Sequence, residues 1–187
     1  MKYTTKGAQV SYGEAIGILL IENYAPYIPG DVANATTYPF PVRFYAMKGV
    51  TPARLFSKDR ELFQVLNEAV KQLEESGVRA ITGDCGFLAQ FQQDLSDRCS
   101  LPLFLSSLMQ IPFISLLVGR QRRIGVITAN ASALDARILL ATGVTEELQR
   151  QLVIKGLEDS RPFVGSVFEE NGELDSDAFE QAVVKRA

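Results

Sequence analysis

Short apolar runs alternate along this chain with segments of helical periodicity, and that alternation constrains the fold more than any other feature. Gly17–Ile21 is a continuous apolar run, typical of a strand buried on both faces. Ser57–Ser76 carries apolar residues at helical spacing and is followed by Gly77, a common helix stop. Further strands are predicted at 41–46, 78–82, 101–105, 123–128 and 151–157, and further helices at 86–97, 109–118, 132–141 and 179–186. This order predicts an α/β fold with mainly parallel sheet.

The two halves of the chain echo each other. The run that begins at Ile16 reads Ile-Gly-Ile-Leu-Leu, and the run that begins at Ile124 reads Ile-Gly-Val-Ile-Thr. We therefore expect two α/β domains, residues 1–118 and 119–187, with a boundary near Gly119. The last helical pattern reaches Ala187 without a cap or a returning strand, so we expect the second domain to be incomplete in this chain.

Composition narrows the class of partner. The 187 residues carry a formal net charge of −3 and no basic stripe, which argues against nucleic acid. No apolar run approaches the roughly 20 residues of a membrane span, and residues 1–7 are not followed by an apolar signal region. We expect a cytoplasmic protein whose two cysteines are reduced and form no disulfide framework.

The absence of histidine removes several kinds of active site. Ser-His-Asp and Cys-His catalysis and every histidine-containing zinc site are excluded, and two cysteines are too few for a four-cysteine site. We expect no metal site. Proton transfer near neutral pH must then come from a perturbed cysteine, aspartate, glutamate, lysine or tyrosine.

Cys85 is the candidate for that chemistry. It follows the strand predicted at 78–82 and precedes a predicted helix that begins at Gly86 or Phe87. Ligands gather at the carboxyl ends of parallel strands, and unpaired amides at a helix start lower the pKa of a nearby thiol. Gly86 has no side chain to block a ligand. The alternative is a buried, inert cysteine, a reading that Cys99 fits better because it lacks the strand-end position.

Other polar residues follow the predicted strands. Ser106, Ser107, Thr128 and Asn130 could form a cradle for a carboxylate together with helix amides, or each could simply cap a helix. Asp84 could bind an ammonium group, cap the helix at Gly86, or raise the pKa of the thiol if it faced the sulfur.

These residues resemble the aspartate/glutamate/hydantoin racemase superfamily. The similarity rests on the strand followed by Cys-Gly-Phe-Leu and on matches along nearly the whole chain. The matching segments are 28–41, 105–112, 125–129 and 156–160. It is closest to members described only as aspartate/glutamate racemase-like.

The resemblance implies two flavodoxin-like parallel-sheet domains that face each other across a cleft, with chemistry that needs no cofactor. Cys85 matches the first of two family cysteines, of which one removes the proton alpha to a carboxylate and the other returns a proton. The groups implied to hold the substrate carboxylate are Gly86, Phe87, Ser106, Ser107, Thr128 and Asn130, together with Asn34 in the loop 22–41. A homodimer is compatible with the resemblance.

The chain departs from the family pattern because no second cysteine occurs late in the sequence. Three functions therefore stay open at this point. The first is a racemase or isomerase of a small carboxylate such as an amino acid or hydantoin. The second is a lyase or decarboxylase that uses Cys85 alone, and the third is a non-catalytic protein that binds small carboxylates.

Overall fold

The structure, a computed structural model, describes residue 1 and residues 11–187. The expectation that no apolar signal region follows residues 1–7 rests partly on residues 2–10, which lie outside the described residues. The strands are β1 (Ile16–Leu20), β2 (Val42–Ala46), β3 (Ala80–Gly83), β4 (Leu103–Phe104), β5 (Ile124–Thr128) and β6 (Leu152–Gly156). The α-helices are α1 (Pro52–Phe56), α2 (Leu62–Glu75), α3 (Gln92–Ser96), α4 (Ile111–Val118), α5 (Ala136–Ala141), α6 (Glu146–Gln149), α7 (Arg161–Phe163) and α8 (Ser176–Arg186). Short 3-10 helices cover 35–37, 86–91 and 107–110, and a π-helical turn covers 164–168.

Parallel strands form two sheets among the described residues. The first sheet has the order β2-β1-β3-β4, and the second pairs β5 with β6. Every strand pair is parallel. The α/β fold with parallel sheets is therefore confirmed. The two sheets lie on either side of Gly119 along the chain, and the division at residue 119 into two domains stays a prediction.

β1 is a central strand of the first sheet, because it pairs with both β2 and β3. It is also buried on both faces. Ile18 and Leu19 are fully buried, as the continuous apolar run predicts. Helix α2 covers the sheet with one apolar side, which contributes Leu62, Leu66, Ala69, Val70 and Leu73 to the core. The helix ends at Glu75, and Gly77 follows just beyond its cap with a φ of 86°, which suits a residue without a side chain.

Three predicted helices differ from those observed. The helix predicted from Ser57 begins only at Leu62, because Lys58 has a φ of 59° and separates α1 from α2. The helix predicted at 86–97 is a 3-10 helix followed by the short α3. The helix predicted from residue 132 begins at 136, where Asp135 caps it by accepting a hydrogen bond from the amide of Ile138.

The strand order places one junction of the chain at a position where ligands commonly bind. The chain passes from β1 to β2 on one side of β1, and β3 then joins β1 on the other side. The crevice at the carboxyl ends of β1 and β3 is thus a switch point of the sheet. The residues that follow those two strands are Ile21–Asn23 and Asp84–Cys85.

No helix in the described part of the chain is long and apolar enough to cross a bilayer.

Gly83 has no room for a side chain, and this predicts an effect on stability. A methyl group at Gly83 would lie 2.5 Å from Cδ1 of Leu88, whereas one at Gly125 in β5 would meet nothing within 4 Å. We expect Gly83→Ala to lower the free energy of unfolding by about 1–3 kcal/mol, as crowded core substitutions do. Gly125→Ala should leave it unchanged or raise it slightly. Urea unfolding measures both, and equal effects would contradict this packing.

Candidate active site

A cavity of about 370 Å³ opens at the carboxyl ends of β1, β3 and β5. Cys85 lines it together with five residues that the sequence predicted for the site: Gly86, Phe87, Ser106, Ser107 and Thr128. Such a volume lies near the lower end of the range for ligand pockets, about 300–1,000 Å³, and so suits a small molecule. The parallel strands of the fold therefore bring most of the predicted site residues to one place.

Cys85 is a partly buried residue that lines this cavity, directly before the 3-10 helix at 86–91. Burial, with a smaller contribution from the negative charge of Asp84, raises its pKa to about 12. The amides of Phe87 and Leu88 oppose this by favouring the thiolate. The prediction that the helix start lowers the pKa of the Cys85 thiol is therefore wrong for the protein by itself, because the net shift is upward. The amides act as expected, but desolvation is the larger effect.

Asp84 joins the ends of two strands and also faces the cavity. Both of its carboxylate oxygens lie 3.1 Å from the amide nitrogen of Ile21, which donates to them. Burial raises the pKa of this carboxyl to about 7, against the lowering effect of amide hydrogen bonds from Ile21 and from Asp84 itself. The hydrogen bonds of this carboxylate run to the amide of Ile21 and not to the helix at 86–91, which contradicts the capping role considered for it.

Ser106 combines a structural role with a place in the site. Its hydroxyl is buried and accepts a hydrogen bond of 3.2 Å from the amide of Leu108, which caps the 3-10 helix at 107–110. A methyl group at Gly86 would lie only 3.5 Å from this Oγ, so the two residues are neighbours. Ser107 is exposed, and Thr128 ends β5 on the side of the second sheet. Contacts of these groups with a substrate stay a prediction.

Two predicted binding residues do not line this cavity. Asn34 lies in the loop, where its amide donates to the carbonyl of Tyr27 at 2.8 Å and its Oδ1 accepts from the amide of Thr36 at 2.9 Å. Asn130 accepts from the amide of Ala133 at 3.0 Å and lines a neighbouring cavity. Both asparagines hydrogen-bond to backbone groups of their own turns, and contact of either with the ligand of Cys85 stays a prediction.

The loop 22–41 supplies cavity residues that sequence reasoning missed. Tyr27 lines the cavity, and its hydroxyl donates to Oδ1 of Asn23 at 2.8 Å. Asn23 is buried and donates to the carbonyl of Val167 at 2.8 Å and to Glu170 at 2.9 Å. Burial and the nearby Asp84 raise the pKa of Tyr27, so its hydroxyl stays protonated. The proline-rich composition of the loop signalled function but did not identify these side chains.

Phenylalanine rings form the apolar part of the wall. Their centroids are 4.8 Å apart for Phe56 and Phe87, 5.6 Å for Phe56 and Phe168, and 5.2 Å for Phe163 and Phe168. Phe179 of α8 continues the cluster, 5.5 Å from Phe163. All of these rings line the cavity with Cys85. They come from distant parts of the sequence, so no local pattern could have grouped them.

Cys99 takes no part in this site. It packs against the main core near Glu74 and does not line the cavity. Burial raises the pKa of its thiol as well. In residue 1 and residues 11–187, no group of three or more histidine, cysteine, aspartate or glutamate side chains could hold a metal ion.

Comparison with known proteins identifies solved structures that resemble this chain. A solved structure of arylmalonate decarboxylase aligns with 92% of this chain and 72% of its own, with a TM-score of 0.51 and 14% identity. The chain therefore shares the α/β fold of that structure. An aspartate racemase homologue from Pyrococcus horikoshii OT3 aligns with 84% of this chain and 71% of its own, with a TM-score of 0.47 and 18% identity. No protein-family model matches the chain.

The sequence relatives are lyases by name. Dimethylsulfoniopropionate lyase 5 of Emiliania huxleyi (strain CCMP1516) is 33% identical over 156 residues, which cover 78% of this chain and 30% of that protein. The dimethylsulfoniopropionate lyase of Durusdinium sp. clade D is 29% identical over 123 residues, or 64% of this chain and 41% of that protein. The chain spans less than half the length of these curated relatives.

The raised pKa of Cys85 predicts a slow thiol in the protein by itself. In the Cys99→Ser variant, alkylation by iodoacetamide at about pH 8 should be more than 100-fold slower than that of a free cysteine, because only the thiolate reacts. The rate should keep rising with pH up to about pH 11. Mass spectrometry follows the modification. A rate that levels off below about pH 8 would contradict a thiol whose pKa is raised by burial.

Proposed function

We propose that this chain catalyses β-elimination from a small carboxylate, with the Cys85 thiolate as the base and dimethylsulfoniopropionate as the substrate. The observation that carries the proposal is the place of Cys85, at the wall of a small cavity that also holds hydroxyl and amide donors. The relatives that align with 78% of the chain and are named as lyases of that compound support it.

The chemistry follows from the structure of the compound, in which a dimethylsulfonium group sits on the carbon beta to the carboxylate. The thiolate of Cys85 takes a proton from the alpha carbon and becomes a thiol. The electron pair of that C–H bond forms the C=C bond, and the C–S bond breaks with its pair on sulfur. The products are acrylate and neutral dimethyl sulfide, and release of the proton to water restores the thiolate.

The substrate carboxylate needs donors, because negative charge grows on it as the alpha proton leaves. Ser106, Ser107 and Thr128 supply hydroxyl groups at the cavity, and Gly86 supplies a backbone amide. We propose these four as the carboxylate cradle. The amide of Phe87 favours the thiolate of Cys85 itself, which gives it a supporting role beside the sulfur.

Elimination is a better fit than the racemisation considered from the sequence. Racemisation without movement of the base or the intermediate requires acid and base groups on opposite faces of the alpha carbon, whereas elimination requires one base. Cys99 lies outside the cavity and cannot act as the second thiol. The similarity to arylmalonate decarboxylase concerns the fold alone and does not favour decarboxylation.

The proposal predicts that activity depends on one of the two cysteines. Incubation of the chain with dimethylsulfoniopropionate should release dimethyl sulfide and acrylate in equal amounts, measured by gas chromatography and NMR. Cys85→Ser should lower the rate by about 10²–10⁴-fold, because a serine hydroxyl is a far weaker base at the same position. Cys99→Ser is the matched control and should keep the activity.

Two results would overturn the proposal. One is turnover that survives in Cys85→Ser. The other is a folded chain that makes no dimethyl sulfide but exchanges the alpha proton of aspartate, glutamate or a hydantoin in D₂O, which would favour a racemase.

A further inference from the structure

The charged side chains that line the cavity are acidic. Asp31 and Asp84 both line it, and no lysine or arginine is found among the described residues of its wall. The negative charge of Asp31 contributes to the raised pKa of Asp84, after the larger effect of burial. A site for a simple anionic carboxylate would gain from a basic side chain here, and two acids would repel such a ligand.

The phenylalanine cluster is a second, independent feature that favours a cationic ligand. Phe56, Phe163, Phe168 and Phe179 line the same cavity as Asp84 and are packed edge to face or tilted against one another. Phenyl rings attract a cation within about 6 Å of their centres and cost little to pack against methyl groups. A carboxylate beside such rings is suited to a cation that is surrounded by methyl groups and is weakly hydrated.

The position of Asp84 between the neighbouring strands gives the carboxylate a fixed place. Its two oxygens are both held by the amide of Ile21, so the side chain is oriented before any ligand arrives. Cys85 follows it directly in the chain and lines the same cavity. A ligand that reaches the thiol is therefore close to this carboxylate.

We propose that Asp84 determines the substrate specificity of the cavity, by facing a methylated cationic substituent on the carbon beta to the substrate carboxylate. This inference rests on the proposed elimination, since it assigns the two charged ends of the substrate to two parts of one wall. The hydroxyl and amide groups face the carboxylate, and Asp84 with the phenylalanine rings faces the cation.

A bound cation would also assist the base. The negative charge of Asp84 opposes ionisation of the Cys85 thiol. A positive group placed between the carboxylate and the sulfur compensates both negative charges, which favours the thiolate. The thiol would then ionise with the substrate in place rather than before it binds.

A pair of matched ligands tests the proposal by binding alone. 3-(Trimethylammonio)propionate carries the cation but a poorer leaving group, and 4,4-dimethylpentanoate has the same shape without the charge. Calorimetry on the folded chain should show at least about tenfold tighter binding of the cationic ligand, from the carboxylate and the ring faces together. β-Alanine, whose ammonium is strongly hydrated, should bind more weakly than the trimethylated ligand if the rings contribute.

Asp84→Asn separates charge from structure, because an amide oxygen can still accept from Ile21. This variant should reduce the preference for the cationic ligand to less than about threefold while its unfolding midpoint stays near that of the parent protein. Asp94→Asn, at an exposed position on α3, is the control and should keep the full preference.

Each result decides one claim. Equal binding of the two ligands, or a preference unchanged in Asp84→Asn, would overturn the specificity role. Tighter binding of β-alanine than of the trimethylated ligand would also overturn it, in favour of a primary ammonium substrate. A clear cationic preference that depends on Asp84, in a chain without lyase turnover, would keep the charge recognition and reject the elimination.

Discussion

The parallel pairing of β1 with β3 is the interaction on which the candidate site depends. The register runs from Ile16 opposite Ala80 to Leu19 opposite Gly83, so the two strands end side by side. The amide of Ile21 then meets the carboxylate of Asp84 at 3.1 Å. Because this pairing also places the next residue at the cavity, a change in register would displace Cys85 from its position.

The site combines two requirements that oppose each other. A base for an alpha proton must lose its own proton, but burial raises the pKa of the Cys85 thiol to about 12. A dry cavity is nevertheless useful, because charge interactions with a ligand are stronger there than in water. The amides of Phe87 and Leu88 supply part of the compensation. A positive group on the substrate would supply the rest at the moment when the base is needed.

The sequence predicted the architecture well because parallel strands leave a strong pattern. The apolar run at 17–21 and the glycine stop at Gly77 correspond to β1 and to the end of α2. The same alternation placed Cys85 and Ser106 at strand ends and so at one edge of the sheet. Helix starts were predicted less accurately. A single residue with positive φ, such as Lys58, interrupts the helix but leaves the periodic pattern of apolar residues in the sequence unchanged.

What the sequence could not predict were contacts between distant segments. Asn23 is joined to Val167 and Glu170 across the cavity, and the phenylalanine cluster draws on α1, α7 and α8. The direction of the Cys85 pKa shift could not be predicted from the sequence either, because it depends on how much of the sulfur loses contact with water. Asn34, a predicted binding residue, also shapes its own loop by donating to the carbonyl of Tyr27.

The most direct test is to measure whether the Cys85 thiol ionises when a ligand binds. This measurement shows whether the thiol becomes a base only with its substrate in place. Thiolate absorbance in the ultraviolet can be followed in the Cys99→Ser variant at about pH 8, where only a low-pKa thiol would be ionised. We expect little signal from the protein by itself and a rise on titration with 3-(trimethylammonio)propionate, but none with 4,4-dimethylpentanoate. A full thiolate signal before any ligand is added, or an equal rise with the neutral ligand, would contradict ionisation driven by a bound cation.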